Sequence, residues 1–371
     1  MPSFQVGLLT NLVDIEIWGP SKFKHLPSFA RLPHLQRLRI CDLSELESMD
    51  GSEPSGGQGE SESFFPSLTF LTLSNCPNMQ SWWRKSPIDD DKDDDKDRGA
   101  STMAFPCLYY LWIENCPLSS MPLYPSVEYK LILVNTSSRP LKHTIQMSDT
   151  TPSTSSLPLS KLKSFKVGNI HEELDYDMLN EFLQKMTSLE HLEIIELPQL
   201  ASLPLCLQHL VQLKELEIKN CSGLRSLFPV FQHLTSLESL RIYDCTELEL
   251  SADGIQIFQD YTSLRHLHLK NIPKCRHLPE WLQHLTNLKE LNLVDLPNLT
   301  SLPDEMRGLT SLEELIILEV PQLEERCRKD IGADWHKIAH IPRIWVNGFW
   351  CKTYGRAVEY LCEFISRETG A

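Results

Sequence analysis

The sequence contains no run of about 18 apolar residues, so nothing in it could cross a bilayer as a helix. Its opening residues, Met1 to Gly7, place no basic stretch ahead of an apolar one, and no secretory signal is legible there. Cations are in the minority: 35 Lys and Arg stand against 50 Asp and Glu, a formal net charge of −15. A nucleic-acid footprint needs clustered Lys and Arg, and that class of partner is excluded. The eleven cysteines include no C-x-x-C pair. With no signal ahead of them, they read as free thiols in a reducing, cytoplasmic compartment.

Catalytic and metal-binding signatures are missing as well. No G-x-x-x-x-G-K-[ST] loop occurs, and Gly56-Gly57-Gln58-Gly59 lacks the Lys and hydroxyl that a phosphate cradle requires. No G-x-S-x-G elbow is present. His336 and His340 stand four apart, as two metal ligands on one helical face could, but Lys337 sits where a metalloprotease has Glu. His266, His268 and His277 have no thiolate or carboxylate set at zinc spacing. The run from Asp89 to Asp97 holds seven carboxylates and two lysines, and without an EF-hand's Gly and closing Glu it reads as a solvated loop. No catalytic, cofactor-binding or metal-binding residue is assigned, and an enzyme is not expected.

What the sequence has in abundance is a repeat. The unit is Leu-x-x-Leu-x-Leu/Ile, followed after a short gap by Cys, Leu or Ile. It starts at Leu12 and Leu35 and recurs at Leu68, Leu108 and Leu162. It then becomes regular: Leu189, Leu213, Leu237, Leu264, Leu288 and Leu312 lie 24, 24, 27, 24 and 24 residues apart. These spacings are those of leucine-rich repeats. The Leu-x-Leu alternation makes a short strand with one face inward. A single repeat cannot bury that face, so neighbours stack into a parallel sheet. The expected fold is an α/β solenoid, a leucine-rich-repeat horseshoe with one short parallel strand per repeat and a mostly irregular convex side. Returns such as Ser301-Leu302-Pro303 should be extended or irregular. Helical spacing occurs at Leu174, Met178, Phe182 and Met186, and again at 253–261.

The solenoid is expected over 1–347, with loop inserts at about 50–63, 85–103 and 135–160 and a closing cap at about 323–347. A tail follows at 348–371, where Tyr354, Val358, Leu361 and Ile365 predict a short helix. The segment from Val127 to Leu133 reads as a degenerate strand bridging the gap between Leu108 and Leu162.

Residues between the strand leucines face the concave side. The central position runs Glu16, Arg39, Thr72, Trp112, Lys166, Glu193, Glu217, Arg241, His268, Asn292 and Ile316. Phe70, Tyr109 and Tyr110 stand beside Trp112. Exposed large aromatics are the side chains that most often anchor interfaces, the alternative being that the Lys85–Met103 insert or a further domain covers them. The candidate protein-binding face is therefore Phe70, Tyr109, Tyr110, Trp112, Lys166, Glu193, Glu217, Arg241 and His268. A second, mixed-charge patch adds Lys214, Lys219 and Arg265.

Cysteine at the position that turns into the core (Cys76, Cys116, Cys221, Cys245) and the Ser-Leu-Pro returns resemble plant nucleotide-binding leucine-rich-repeat resistance proteins. The segment Leu323-Glu324-Glu325-Arg326-Cys327, followed by Gly332-Ala333-Asp334-Trp335-His336-Lys337-Ile338, resembles the closing motif of their coiled-coil class. The resemblance implies the repeat portion of a cytoplasmic immune receptor, which recognises a pathogen effector or a guarded host protein and restrains a nucleotide-binding module. No residues of that module occur here. An adaptor in another intracellular pathway, such as ubiquitin-ligase substrate selection, is the alternative, and an upstream F-box-like motif would mark it.

Overall fold

In the computed structural model the described residues are 10–20, 22–26, 29–49, 65–80, 82, 105–118, 127–142, 159–170, 176–228, 230–250, 263–347 and 349–352. The chain divides into two compact units, Met1–Glu215 with Pro229–Leu234, and Leu216–Phe228 with Thr235–Ala371.

The first unit is a parallel ladder of β1 (Asp14–Trp18), β2 (Arg37–Cys41), β3 (Phe70–Ser74), β4 (Tyr110–Cys116), β5 (Lys130–Thr136), β6 (Ser164–Gly168) and β7 (His191–Ile195). Pairing is in strict register, so leucine meets leucine: Leu38 opposite Leu71, Leu71 opposite Leu111, Leu111 opposite Leu131. Each of these side chains is buried. At about 0.8 kcal/mol per buried CH₂, the aligned stripe supplies the main stabilisation. The degenerate segment at 127–133 does form a strand, β5, and it continues through Thr136. Beyond it Ser137, Ser138 and Leu141 are buried and Arg139 is exposed, and residues 143–158 of the expected insert lie outside the described residues.

One helix, α1 (Tyr176–Lys185), occupies the return between β6 and β7 and buries Leu179, Phe182 and Leu183. Its outer side chains receive the next return. The Leu205 amide donates to the Tyr176 hydroxyl at 2.9 Å, and the Cys206 amide donates to Asn180 Oδ1 at 2.9 Å. Those donors open a 3₁₀ turn, Leu205–His209, directly after Pro204, so the return is neither extended nor a long helix.

The strand β8 (Glu215–Lys219) falls where the chain divides. The second unit then carries β9 (Ser239–Tyr243), β10 (His266–Lys270), β11 (Glu290–Val294), β12 (Glu314–Leu318) and β13 (Arg343–Val346), all parallel and in register. Its returns are 3₁₀ turns at Glu280–His284 and Asp304–Gly308, each following a proline. Two short helices, α2 (Pro321–Arg326) and α3 (Trp335–Ile338), precede β13. The chain then reverses into β14 (Phe349–Lys352), antiparallel to β13. The stretch assigned from sequence to a helical tail thus opens with a strand. Its helical positions, Tyr354 to Ile365, lie outside the described residues, as do the Asp89–Asp97 run and the helix expected at 253–261.

A feature not anticipated from the sequence recurs at the turns off the sheet among the described residues. The residue at that turn has positive φ: Gly19 at +101°, and Asp42, Asn75, Asn115, Asn135, Asn169, Glu196, Asn220, Asp244, Asn271, Asp295, Glu319 and Asn347 at +43° to +59°. Asn and Asp tolerate this left-handed region better than other side-chain-bearing residues. In the first unit they also form a ladder of their own. Asn75 Nδ2 donates to Asp42 Oδ1 at 2.8 Å, Asn115 Nδ2 to Asn75 Oδ1 at 2.6 Å, and Asn135 Nδ2 to Asn115 Oδ1 at 2.7 Å. The kink drops the next residue, usually Cys or Leu, into the core. Cys76, Cys116, Cys221 and Cys245 are all buried there as free thiols. Burial pushes the Cys245 thiol up to about 12, so it behaves as a small apolar side chain.

Candidate docking face

Parallel register turns the face opposite the leucines into columns. In the first unit the central column runs Glu16, Arg39, Thr72, Trp112, Ile132, Lys166, Glu193. The column before it runs Asp14, Arg37, Phe70, Tyr110, Lys130, Ser164, His191. The order of chemistry along the ladder is carboxylates, cations, aromatics, cations, carboxylates.

The aromatics form one contiguous cluster. Phe70 lies 6.0 Å from Tyr109 and 5.7 Å from Tyr110, centroid to centroid. Tyr109 stacks on Tyr129 at 5.0 Å with the rings within 3° of parallel. Phe70, Tyr109 and Tyr129 remain 40%, 42% and 43% exposed. Trp112 is half-buried and donates its indole N–H to Glu114 Oε2 at 2.9 Å, which fixes the ring in its strand. Burial raises the Tyr110 phenol above its usual range, so it stays protonated and can donate. Tyr129 was missed from sequence. Its strand was recognised, but the residue ahead of Lys130 was not carried into the flanking column.

Apart from Lys130, the cations on either side are paired outward. Arg37 bonds Asp14 at 2.7 Å and Arg39 approaches Glu16 at 3.8 Å. On the far side Lys166 pairs with Glu193, and Lys163 bonds Glu190 at 2.8 Å. Lys163 and Lys214 both donate to Glu190, which holds its carboxyl down to about 2.

The second unit's central column is different, and here the sequence expectation is corrected. Arg241, His268, Asn292, Ile316 and Trp345 stand in register. His268 is 8% exposed, Asn292 1% and Ile316 4%, so these are not open to a partner. The reason is local. Asn292 Nδ2 bridges His268 Nδ1 at 3.1 Å and Glu290 Oε1 at 2.8 Å, and these neighbours shade the imidazole. Burial pushes His268 down to about 4, with Glu290 opposing the shift and Arg241 adding to it. It is neutral at physiological pH. Glu217, in β8, and Arg241 remain half-buried.

At the end of this unit Asp334 is fully buried. It accepts from Arg326 Nε at 2.7 Å, Arg326 Nη2 at 3.0 Å and the Leu302 amide at 3.1 Å, and it pairs with Lys337 at 3.0 Å. Lys337 also donates to the Leu302 carbonyl at 2.6 Å. Burial would raise the Asp334 carboxyl, but these donors outweigh it and hold it below its usual range. The segment singled out from sequence as a cap is therefore bolted to the last return by a buried ion network. His336 and His340 are exposed, and the His340 ring meets the Leu309 carbonyl at 3.3 Å. Among the described residues no three His, Cys, Asp or Glu converge as metal ligands, and no helix is long and apolar enough to cross a membrane.

In-register leucine rungs, a turn into the core at each repeat and 3₁₀ returns define a leucine-rich-repeat solenoid, a fold that typically serves as a protein-interaction scaffold. Residues 202–329 match the family model of plant disease resistance protein RPS2-like leucine-rich repeats. No curated protein matches the chain. Among solved structures, the leucine-rich repeat domain of the type III effector XopL is 23% identical, with 65% of this chain and 69% of that one covered and a TM-score of 0.43. An internalin from Listeria monocytogenes is 15% identical, with 84% and 82% covered and a TM-score of 0.43. TLR13, from its complex with ssRNA13, is 18% identical, with 84% of this chain but 46% of that one covered and a TM-score of 0.44.

Proposed function

We propose that the chain is the recognition portion of a cytoplasmic plant immune receptor of the coiled-coil nucleotide-binding class. Its outward face in the first unit docks a pathogen effector or a guarded host protein. In the complete receptor the same repeats restrain the nucleotide-binding module until that partner arrives. The match of 202–329 to plant resistance-protein repeats supports the resistance-protein part of this reading. The observation that carries the docking face is the contiguous cluster of Phe70, Tyr109 and Tyr129, each about two-fifths exposed on one sheet surface. Large exposed aromatics in or directly before strands are costly to hydrate and are enriched at interface anchors.

The test is co-precipitation of the tagged chain from infected and uninfected plant tissue, wild type beside Phe70→Ser/Tyr109→Ser. The expected result is an infection-dependent or host protein recovered by the wild type and lost by the double variant, with equal thermal stability. Equal recovery by both would refute the docking face. Recovery of ubiquitin-ligase subunits in place of a defence partner would move the chain to the adaptor class.

A further inference from the structure

We infer that the segment docking on this face is acidic and carries an aromatic or branched aliphatic anchor; this rests on the reading of the face as a docking surface and specifies its partner. The argument comes from the order of charges along the first unit's ladder. An aromatic surface by itself favours cations, because ring faces are electronegative. Here the aromatics are bracketed by cations on both sides, Arg37 and Arg39 on β2, Lys130 on β5 and Lys166 on β6. The carboxylates that pair with Arg37, Arg39 and Lys166 stand one strand further out, at Asp14, Glu16 and Glu193. Each of these pairs is thus oriented with its positive end toward the rings. Lys130 has no carboxylate partner among the described residues, and it stands between Tyr110 and Ser164 in the ladder. Glu114, the carboxylate on the aromatic strand β4, is engaged by the Trp112 indole.

A basic segment seated on the rings would therefore meet like charge on both flanks. An acidic one would meet cations whose carboxylate partners sit on the far side. The placement is local, since the chain as a whole is at −15. Complementarity of this kind sets partner choice and association rate, and it is weakened by salt.

The experiment is fluorescence anisotropy on the full chain with three labelled peptides of equal length. One is rich in Asp and Glu with a single Trp, one is rich in Lys with a single Trp, and one is acidic without Trp. The expected result is that the acidic Trp peptide binds at least about tenfold tighter than either of the others. Lys130→Glu should weaken that binding by about tenfold, and added sodium chloride should weaken it progressively. Tyr109→Ser should abolish the difference between the two acidic peptides. A thermal melt of each variant serves as the folding control, with Lys130→Gln replacing Lys130→Glu if the latter melts early. Equal or tighter binding of the Lys-rich Trp peptide would overturn the acidic assignment while leaving the aromatic docking face standing. No binding by either Trp peptide would overturn both.

Discussion

The left-handed turn residues show how much one position can carry. Asn115 is kinked to φ +51° and holds hands with Asn75 and Asn135 through side-chain amides. Asn115→Val should cost about 1–3 kcal/mol, because a β-branched residue is strained there and the ladder is cut. Asn115→Gly should cost less than the valine, since glycine adopts positive φ freely. Calorimetry on both variants checks the ordering, and a valine no worse than glycine would remove the backbone explanation. His268 makes a second prediction at this scale. Its folded-state affinity for protons is depressed to about 4 from a usual 6.5. The unfolded chain therefore takes up the proton first as pH falls. Its contribution is complete above about 6.5 and declines between there and about 4, by up to about 3 kcal/mol. Urea melts across that range should show the decline, and His268→Gln should flatten it. Neither position's role was read from sequence. Asn-Cys or Asp-Cys pairs stand at four of the turns, at Asn75, Asn115, Asn220 and Asp244, but hydrophobic spacing reports the buried cysteine and not the left-handed φ before it. His268 was placed on an open column because alternation reports which face a residue occupies, not how tall its neighbours are.

Among the elements, the closing segment is the sharpest case. Sequence marked 323–347 as a cap by resemblance, and the structure supplies the reason those residue types are needed. Asp334 has no solvent exposure and gathers Arg326, Lys337 and the Leu302 amide. Gly332 packs so close to the Arg326 carbonyl that an added Cβ would collide with backbone. Removing one member of a buried ion network leaves its partners uncompensated. Asp334→Asn should therefore destabilise the second unit by about 3 kcal/mol, measured by chemical denaturation. A change near zero would show that the network is ornamental. Because the folded-state carboxyl is held below its usual 3.8, its contribution is complete above that pH and is lost as the pH falls from there through the lower folded value. At the same scale Gly168 explains a small residue in β6. A Cβ there would run into Ile195 on the neighbouring strand. No periodicity argument could have found that contact, since it depends on the twist of two particular strands.

For the molecule as a whole, strand alternation separates the buried stripe that stabilises the fold from the outward face proposed to dock a partner. Leu291 is fully buried in the stripe, and Leu291→Ala should cost about 2–5 kcal/mol. Trp112 stands half-buried on the opposite face, and Trp112→Ala should change stability by about 1 kcal/mol or less while weakening partner capture. Equal effects on melting and capture for Trp112 would make it a structural residue. The sequence by itself determined the solenoid, because leucines spaced 24 or so residues apart can be buried only by stacking repeats in register. It also determined which residues face away from that stripe, since strand alternation has a period of two. What only the tertiary structure decided is which of those outward residues stay open. Tyr129 joins Tyr109 and Phe70 in an exposed cluster, whereas His268, Asn292 and Ile316 are covered by their neighbours. Exposure depends on the side chains one strand away, and those lie some twenty or more residues distant along the chain.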